Sequence, residues 1–248
     1  MEMKLLKNRI IETVYNAKEG HIASALSILD IVYVLYDKIL NTDLSDPNRD
    51  RFVLSKGHGC LALYAVLEHK GLIPKHELDN YCKFNANLGG HPFPKLPHIE
   101  SATGSLGHGV SFAVGLALGM KLKGSKGRVF ALVGDQECNE GTVWESILLA
   151  KQHNLSNFTL IVDNNYSSKR SLFMVQLMDK FKSFGLNATY VEGHDHPSIE
   201  YAIRKESPPN VIVASTLKGY RCKLIEENPN EWHHKIPTEA EYNQFLNE

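Results

Sequence analysis

Apolar and polar positions alternate along the chain in two distinct periods. Leu6, Ile10 and Val14 recur at i, i+4 and i+8, which predicts an amphipathic first helix that stops near Glu19-Gly20. Ser24 to Tyr36 is apolar nearly all round, so a second, buried helix is expected there. A polar loop over 41–51 precedes a short strand at Phe52-Val53-Leu54, and Cys60 to His69 reads as helix. The stretch from Asn85 to Ser105 is rich in Gly and Pro and predicts a long loop, a feature that in a compact domain usually serves function. His108 to Leu122 is helical in pattern. Its Ser111, Gly115 and Gly119 form a stripe of small residues suited either to helix packing within the domain or to a subunit interface.

Two continuous apolar runs follow, Val129 to Val133 and Phe158 to Val162, with helical spacing at Val143, Ile147 and Leu148 between them. Apolar residues without alternation mark strands buried on both faces, so this is a parallel βαβ unit. Ala188 to Val191 and Val211 to Ala214 supply two more strands. The elements alternate throughout. The expected fold is α/β, a doubly wound, mainly parallel sheet flanked by helices, with residues 1–248 forming one domain.

Composition narrows the class of function. The 248 residues carry 27 Lys+Arg against 28 Asp+Glu, so no basic surface suggests a nucleic-acid partner. No apolar stretch is long enough to span a membrane, and MEMKLLKNRI lacks the features of a signal peptide. Cys60, Cys82, Cys138 and Cys222 are scattered and form no CxxC pair, which fits reduced thiols in the cytoplasm. Histidine is unusually frequent at 12 residues, and several are flanked by glycine: His21, His58, His91, His108 and His194. Imidazoles on such loops are free to face a ligand.

In open α/β sheets ligands bind beyond the carboxyl ends of the strands. Asp135 and Asn165 follow the two best strand candidates and lie 30 residues apart. If those strands are neighbours, both side chains emerge at one edge. One carboxylate, one amide oxygen and nearby carbonyls make a hard oxygen site. Such a site suits Mg²⁺ shared with phosphates better than Zn²⁺. Capping of turns would also explain an Asp and an Asn at strand ends.

The motif GDxxxNEG at Gly134–Gly141, followed by the Asn of Asp163-Asn164-Asn165, resembles the thiamine diphosphate motif. DRFVLSKGHGCLALYA (Asp50–Ala65) resembles transketolase. So do GHIASALS (Gly20–Ser27), GGHP (Gly89–Pro92), TGSLGHG (Thr103–Gly109) and EWHH (Glu231–His234). These segments stand in the family's order and cover nearly the whole chain, which is similar to the N-terminal domain of single-chain transketolases. The resemblance implies the N-terminal subunit of a split transketolase, transferring a two-carbon ketol unit from a ketose to an aldose with thiamine diphosphate and Mg²⁺. It implies that Asp135 and Asn165 ligate the metal by side chain and Ser167 by its carbonyl. His58, Gly104 and Leu106 would line the cofactor, beside Gly134, Asp135, Gln136 and Asn165. His21, His91 and His234 match the active-site histidines, and Glu140 an acidic residue that couples cofactor sites across the dimer. The Glu that activates the cofactor lies in the family's C-terminal half. A separately encoded partner subunit is therefore expected, in a heterotetramer acting on sugar substrates.

The chain departs from the family at three places. Gln136 replaces the second Gly of GDG and would either donate to a phosphate or crowd it. His108 stands where Gln is common. Tyr220-Arg221 replace small residues after Lys218-Gly219. Two other readings stay open: the α-subunit of a 2-oxo acid dehydrogenase, and a cofactor-silent scaffold that keeps the fold for assembly. Deoxyxylulose-phosphate synthase shares the architecture but lacks the SKGHG form.

Overall fold

The computed structural model describes residues 1–170, 172–205 and 207–248. Five strands form one sheet: β1 (Arg51–Leu54), β2 (Val129–Gly134), β3 (Phe158–Asn164), β4 (Asn187–Glu192) and β5 (Asn210–Ser215). Their order is β1-β2-β3-β5-β4 and every pairing is parallel. β2 and β3 are neighbours in a register that sets Gly134 opposite Asp163. The condition placed on Asp135 and Asn165 is thus met.

Side chains of successive strand residues point to opposite faces, and the core divides accordingly. Phe52, Leu54, Phe130, Leu132, Ile161 and Ile212 face one layer of helices. That layer contains α1 (Glu2–Ala17), α2 (Ile22–Val34), α3 (Cys60–His69) and α8 (His196–Lys205). Val53, Val129, Ala131, Val133, Leu160, Val162 and Val213 face the other. There they meet α5 (His108–Leu122), α6 (Gly141–Gln152) and α7 (Leu177–Ser183). β2 is buried at all six positions, as its unbroken apolar sequence requires.

α2 is buried along its whole length and ends in a π turn over Leu35–Ile39. α1 stops at Ala17, with Lys18 in the left-handed region at φ 55°, just ahead of the expected Glu19-Gly20. α3 and α5 occupy the predicted ranges. Between α4 (Lys75–Asp79) and α5, residues 80–107 contain no helix or strand, the long loop anticipated from Gly and Pro. Two short elements close the chain, α9 (Lys223–Glu227) and α10 (Glu239–Asn247). No helix among the described residues is long and apolar enough to cross a membrane. All four cysteines are free thiols.

Candidate cofactor site

Four strands deliver loops to one edge of the sheet. β1 leads into Ser55–Gly59, β2 into Asp135–Glu137, β3 into Asn165–Ser167 and β5 into Thr216–Lys218. These loops enclose a cavity lined by Ser24, Lys56, His58, Leu106, Gly134, Asp135, Gln136, Glu137, Asn165, Ser167, Lys218 and His233. Seven of the residues expected from sequence are in this wall: His58, Leu106, Gly134, Asp135, Gln136, Asn165 and Ser167.

The two central oxygen donors are held from behind. Ser168 donates to Asp135 Oδ2 through its backbone N (3.0 Å) and its hydroxyl (2.9 Å). Asn165 Nδ2 donates to Ser27 Oγ (2.9 Å) and Asp163 Oδ2 (3.0 Å), so the amide oxygen is the atom turned towards the loop of Ser167. Asp163 is fully buried and forms an ion pair with Lys56 Nζ at 2.5 Å. Burial, and then the neighbouring Asp163, push the Asp135 carboxyl above its ordinary range. A cation beside Asp135 would relieve that cost.

Glu137 is 1% exposed and accepts three hydrogen bonds, from Ser55 Oγ (2.8 Å), Gly107 N (3.0 Å) and Gly134 N (3.0 Å). It ties the loops after β1 and β2 to the start of α5. Gly107 turns there at φ 79°, and a Cβ at this position would stand 2.4 Å from Thr142 Oγ1. Glycine is therefore required on both counts.

The imidazoles gather on one side of the cavity. His21 and His58 rings lie 5.4 Å apart, His21 and His233 5.1 Å, and His58 and His233 5.7 Å. His21 Nδ1 donates to the His233 carbonyl at 2.6 Å, which leaves Nε2 as the acceptor of the neutral ring. Burial, with Lys56 second, lowers the His58 pKa to about 2. Burial and then Lys218 lower His233 to about 4. Burial also lowers His21. These rings are neutral near pH 7.

Other expected residues lie outside the wall. His234 turns to Glu19, with Nε2 to Oε1 at 2.7 Å, and its neighbour His233 takes the cavity position. His91 packs beside the His58 loop, where a Cβ on Gly57 would meet its ring at 2.6 Å. Gly104 stands in open space on the long loop at φ 157°. Glu140 occupies the position just before α6 and is exposed. Gln136 has φ −69° and ψ −33°, a conformation open to any residue, so this position makes no backbone demand for the usual glycine. Sequence reasoning missed Ser24, Lys56, Glu137, Lys218 and His233. Each stands in or beside a segment already singled out, but the side facing the cavity cannot be read from spacing within a loop.

The donor set fits a metal–diphosphate group. Ser24 Oγ is buried in the cavity wall without a hydrogen-bond partner among the described residues, an acceptor or donor awaiting a ligand. Lys56 and Lys218 bring positive charge. No group of three His, Cys, Asp or Glu that could hold a metal alone occurs among the described residues. A metal here would need ligand phosphates to complete its shell.

A parallel sheet whose carboxyl edge combines hard oxygen donors, lysines and neutral imidazoles belongs to the α/β domains that bind a phosphorylated cofactor. Residues 3–242 match the family described as transketolase, thiamine diphosphate binding domain, and the chain belongs to that family. It is 37% identical to one of the subunits of apulose-4-phosphate transketolase from Actinobacillus succinogenes, over 99% of this chain and 93% of the relative. The corresponding protein of Phocaeicola vulgatus is 34% identical over 100% of this chain and 93% of its own length. Human transketolase is 35% identical over 91% of this chain, which covers only 38% of that protein. Among solved structures, transketolase from Campylobacter jejuni superimposes with a TM-score of 0.88 and 28% identity. The match covers 98% of this chain and 41% of that one.

Proposed function

We propose that this chain is the N-terminal subunit of a two-component transketolase, which moves a two-carbon ketol unit from a ketose phosphate to an aldose acceptor with thiamine diphosphate and Mg²⁺. The observation that carries this reading is the cavity at the ends of β1, β2, β3 and β5, with Asp135, Asn165, two lysines and a Ser24 hydroxyl that has no partner among the described residues. In it residues 1–248 act as one diphosphate-binding domain in the cytoplasm. The two bacterial relatives are each named as one subunit of their enzyme, which supports a separate partner chain here, and we infer a heterotetramer. Their name also makes apulose 4-phosphate the first donor to try. Membership of the transketolase family disfavours a 2-oxo acid dehydrogenase subunit.

Asp135, Asn165 and the Ser167 carbonyl would hold the metal. Lys56, Lys218, Ser24 and His58 would face the diphosphate, beside Leu106, Gly104, Gly134 and Gln136. When bound, the cofactor supplies a ring that stabilises the carbanion left when a sugar carbon–carbon bond breaks. The chain's own contribution is binding, orientation and proton handling. Its neutral imidazoles can accept a proton from a sugar hydroxyl. His21 Nε2 is the atom poised for this, because Nδ1 is committed to the His233 carbonyl. The His234 ring lies 4.6 Å from His21 and the His233 ring 5.1 Å, with His233 in the cavity wall, so both stand as candidates beside His21 and His91. Glu140 is exposed at the start of α6, which is compatible with a role at a neighbouring subunit.

The test is calorimetric titration of thiamine diphosphate with Mg²⁺ into the chain alone, and mixed with the C-terminal-half subunit from the adjacent gene. Binding is expected to appear or sharpen in the mixture and to vanish in Asp135→Ala. A stable complex that binds no cofactor would reject catalysis and leave the scaffold reading.

A further inference from the structure

The turn after β5 carries Lys218 into the cavity wall, and it is fastened on both sides of that residue. Leu217 N donates to His194 Nε2 at 2.8 Å, and Gly219 N donates to the Ala23 carbonyl at 3.0 Å. Because Nε2 accepts, the hydrogen of neutral His194 is on Nδ1, which donates to Asp30 Oδ2 at 2.9 Å. Asp30 is a fully buried carboxylate in α2. It also accepts from His196 Nε2 at 2.7 Å, and from both terminal nitrogens of Arg221 at 2.6 and 2.8 Å. Arg221 holds the left-handed region at φ 73°, a costly conformation for a residue with a side chain. Its guanidinium also covers the Tyr220 ring, which stacks on His194 at 3.7 Å.

We propose that Arg221 is a positioning residue for the diphosphate end of the cofactor. Its forked ion pair with Asp30 clamps the turn that presents Lys218. The same carboxylate reaches that turn by a second route, through His194 to the backbone of Leu217. Asp30 is thus the buried hub, and Lys218 is its output, held against the cavity where its ammonium meets His233 Nδ1 at 3.2 Å. Arg221 is not among the residues of the cavity wall, whereas Lys218 is. A planar fork fixes orientation in a way that a single-point cation does not. The inference rests on reading the cavity as the thiamine diphosphate–Mg²⁺ site.

A double-mutant cycle read by calorimetric titration of thiamine diphosphate with Mg²⁺ tests this, using the full chain mixed with its C-terminal-half partner. Lys218→Ala is expected to weaken binding about tenfold, the worth of one charge-assisted phosphate contact. Arg221→Gly, which relieves the left-handed backbone, should weaken it by a similar factor. The double variant should bind no more weakly than Lys218→Ala alone. Arg221→Lys should recover part of the loss, and it carries the same test should the glycine variant not fold. Unchanged affinity in both Arg221 variants would overturn the proposal. So would losses that multiply in the double variant, or an unaffected Lys218→Ala, while leaving the cofactor site standing. Failure of the unsubstituted protein to bind would remove the site and the clamp together.

Discussion

At the scale of single residues, charge balance in the cavity is the organising fact. Burial strips water from the imidazoles of His58 and His233, and the charges of Lys56 and Lys218 add to the effect. Both rings therefore stay neutral where free histidine begins to charge. Linkage gives this a sign. A histidine with a folded pKa below its unfolded value near 6.5 binds fewer protons folded than unfolded as pH falls past 6.5. Stability is then lost on acidification, for His58 down to about pH 2 and for His233 to about pH 4. Asp135 and Glu137, raised by burial, work in the opposite direction above the ordinary carboxylate range. The contribution of His58 is isolated by comparison with His58→Asn. Between pH 7.5 and 5.5 the unligated protein should lose more stability than the variant, by at most about 1.4 kcal/mol per pH unit. Parallel thermal-unfolding curves for the two proteins would contradict a desolvated, neutral His58.

At the scale of elements, the site depends on loops being locked to one another, and Glu137 is the lock. Its carboxylate accepts from three donors belonging to three segments. Glu137→Gln keeps the shape but turns an NH₂ group towards at least one N–H donor. The expected cost is about 1–3 kcal/mol, seen as a lower unfolding midpoint, together with weaker cofactor binding because the Gly134 and Gly107 loops move. Equal stability and affinity in the variant would show that the loops hold without it. This lock was invisible in the sequence, where Glu137 is one polar residue of a motif. What was legible were elements with a strong period or an unbroken apolar run. β2 and β3, α3 and α5, and the edge that unites Asp135 with Asn165 all follow from such patterns. The later helices leave a weak trace in the sequence for physical reasons. α10 carries a capping box, Thr238 with Glu241, yet buries only Phe245, so its apolar signal is faint. α8 buries Ile199, Ala202 and Ile203 in a short segment, too few apolar positions for a helical period to stand out between two strands. The choice between His233 and His234 depends on the direction of a loop, which adjacency in sequence cannot decide.

At the scale of the molecule, the question is which surfaces are unfinished. The small-residue stripe of α5 splits in two. Ser111 Oγ bonds Ser146 Oγ of α6 at 2.9 Å, inside the chain. Gly115 and Gly119 face outward, and a Cβ on either would meet nothing within 4 Å. Meanwhile Val110, Ala113, Val114 and Ala117 on the opposite face fill the core. Phe112 on the same helix is 46% exposed, and Leu148 and Leu149 of α6 are 52% and 49% exposed, so apolar surface flanks the stripe. Packing within the domain does not require glycine at 115, so the interface is the reading to test. Gly115→Arg separates fold from assembly. In the isolated chain the new side chain has room, and replacing a helical glycine should leave stability equal or raise it by up to about 1 kcal/mol. When the C-terminal-half partner is added, a bulky charge on this surface should, if the stripe is an interface, break the proposed heterotetramer and abolish the proposed ketol transfer. Native mass spectrometry of the mixture reads the first effect and consumption of a ketose phosphate the second. A variant that still assembles would place the interface elsewhere on the chain, and the exposed stripe would then be a plain solvent face.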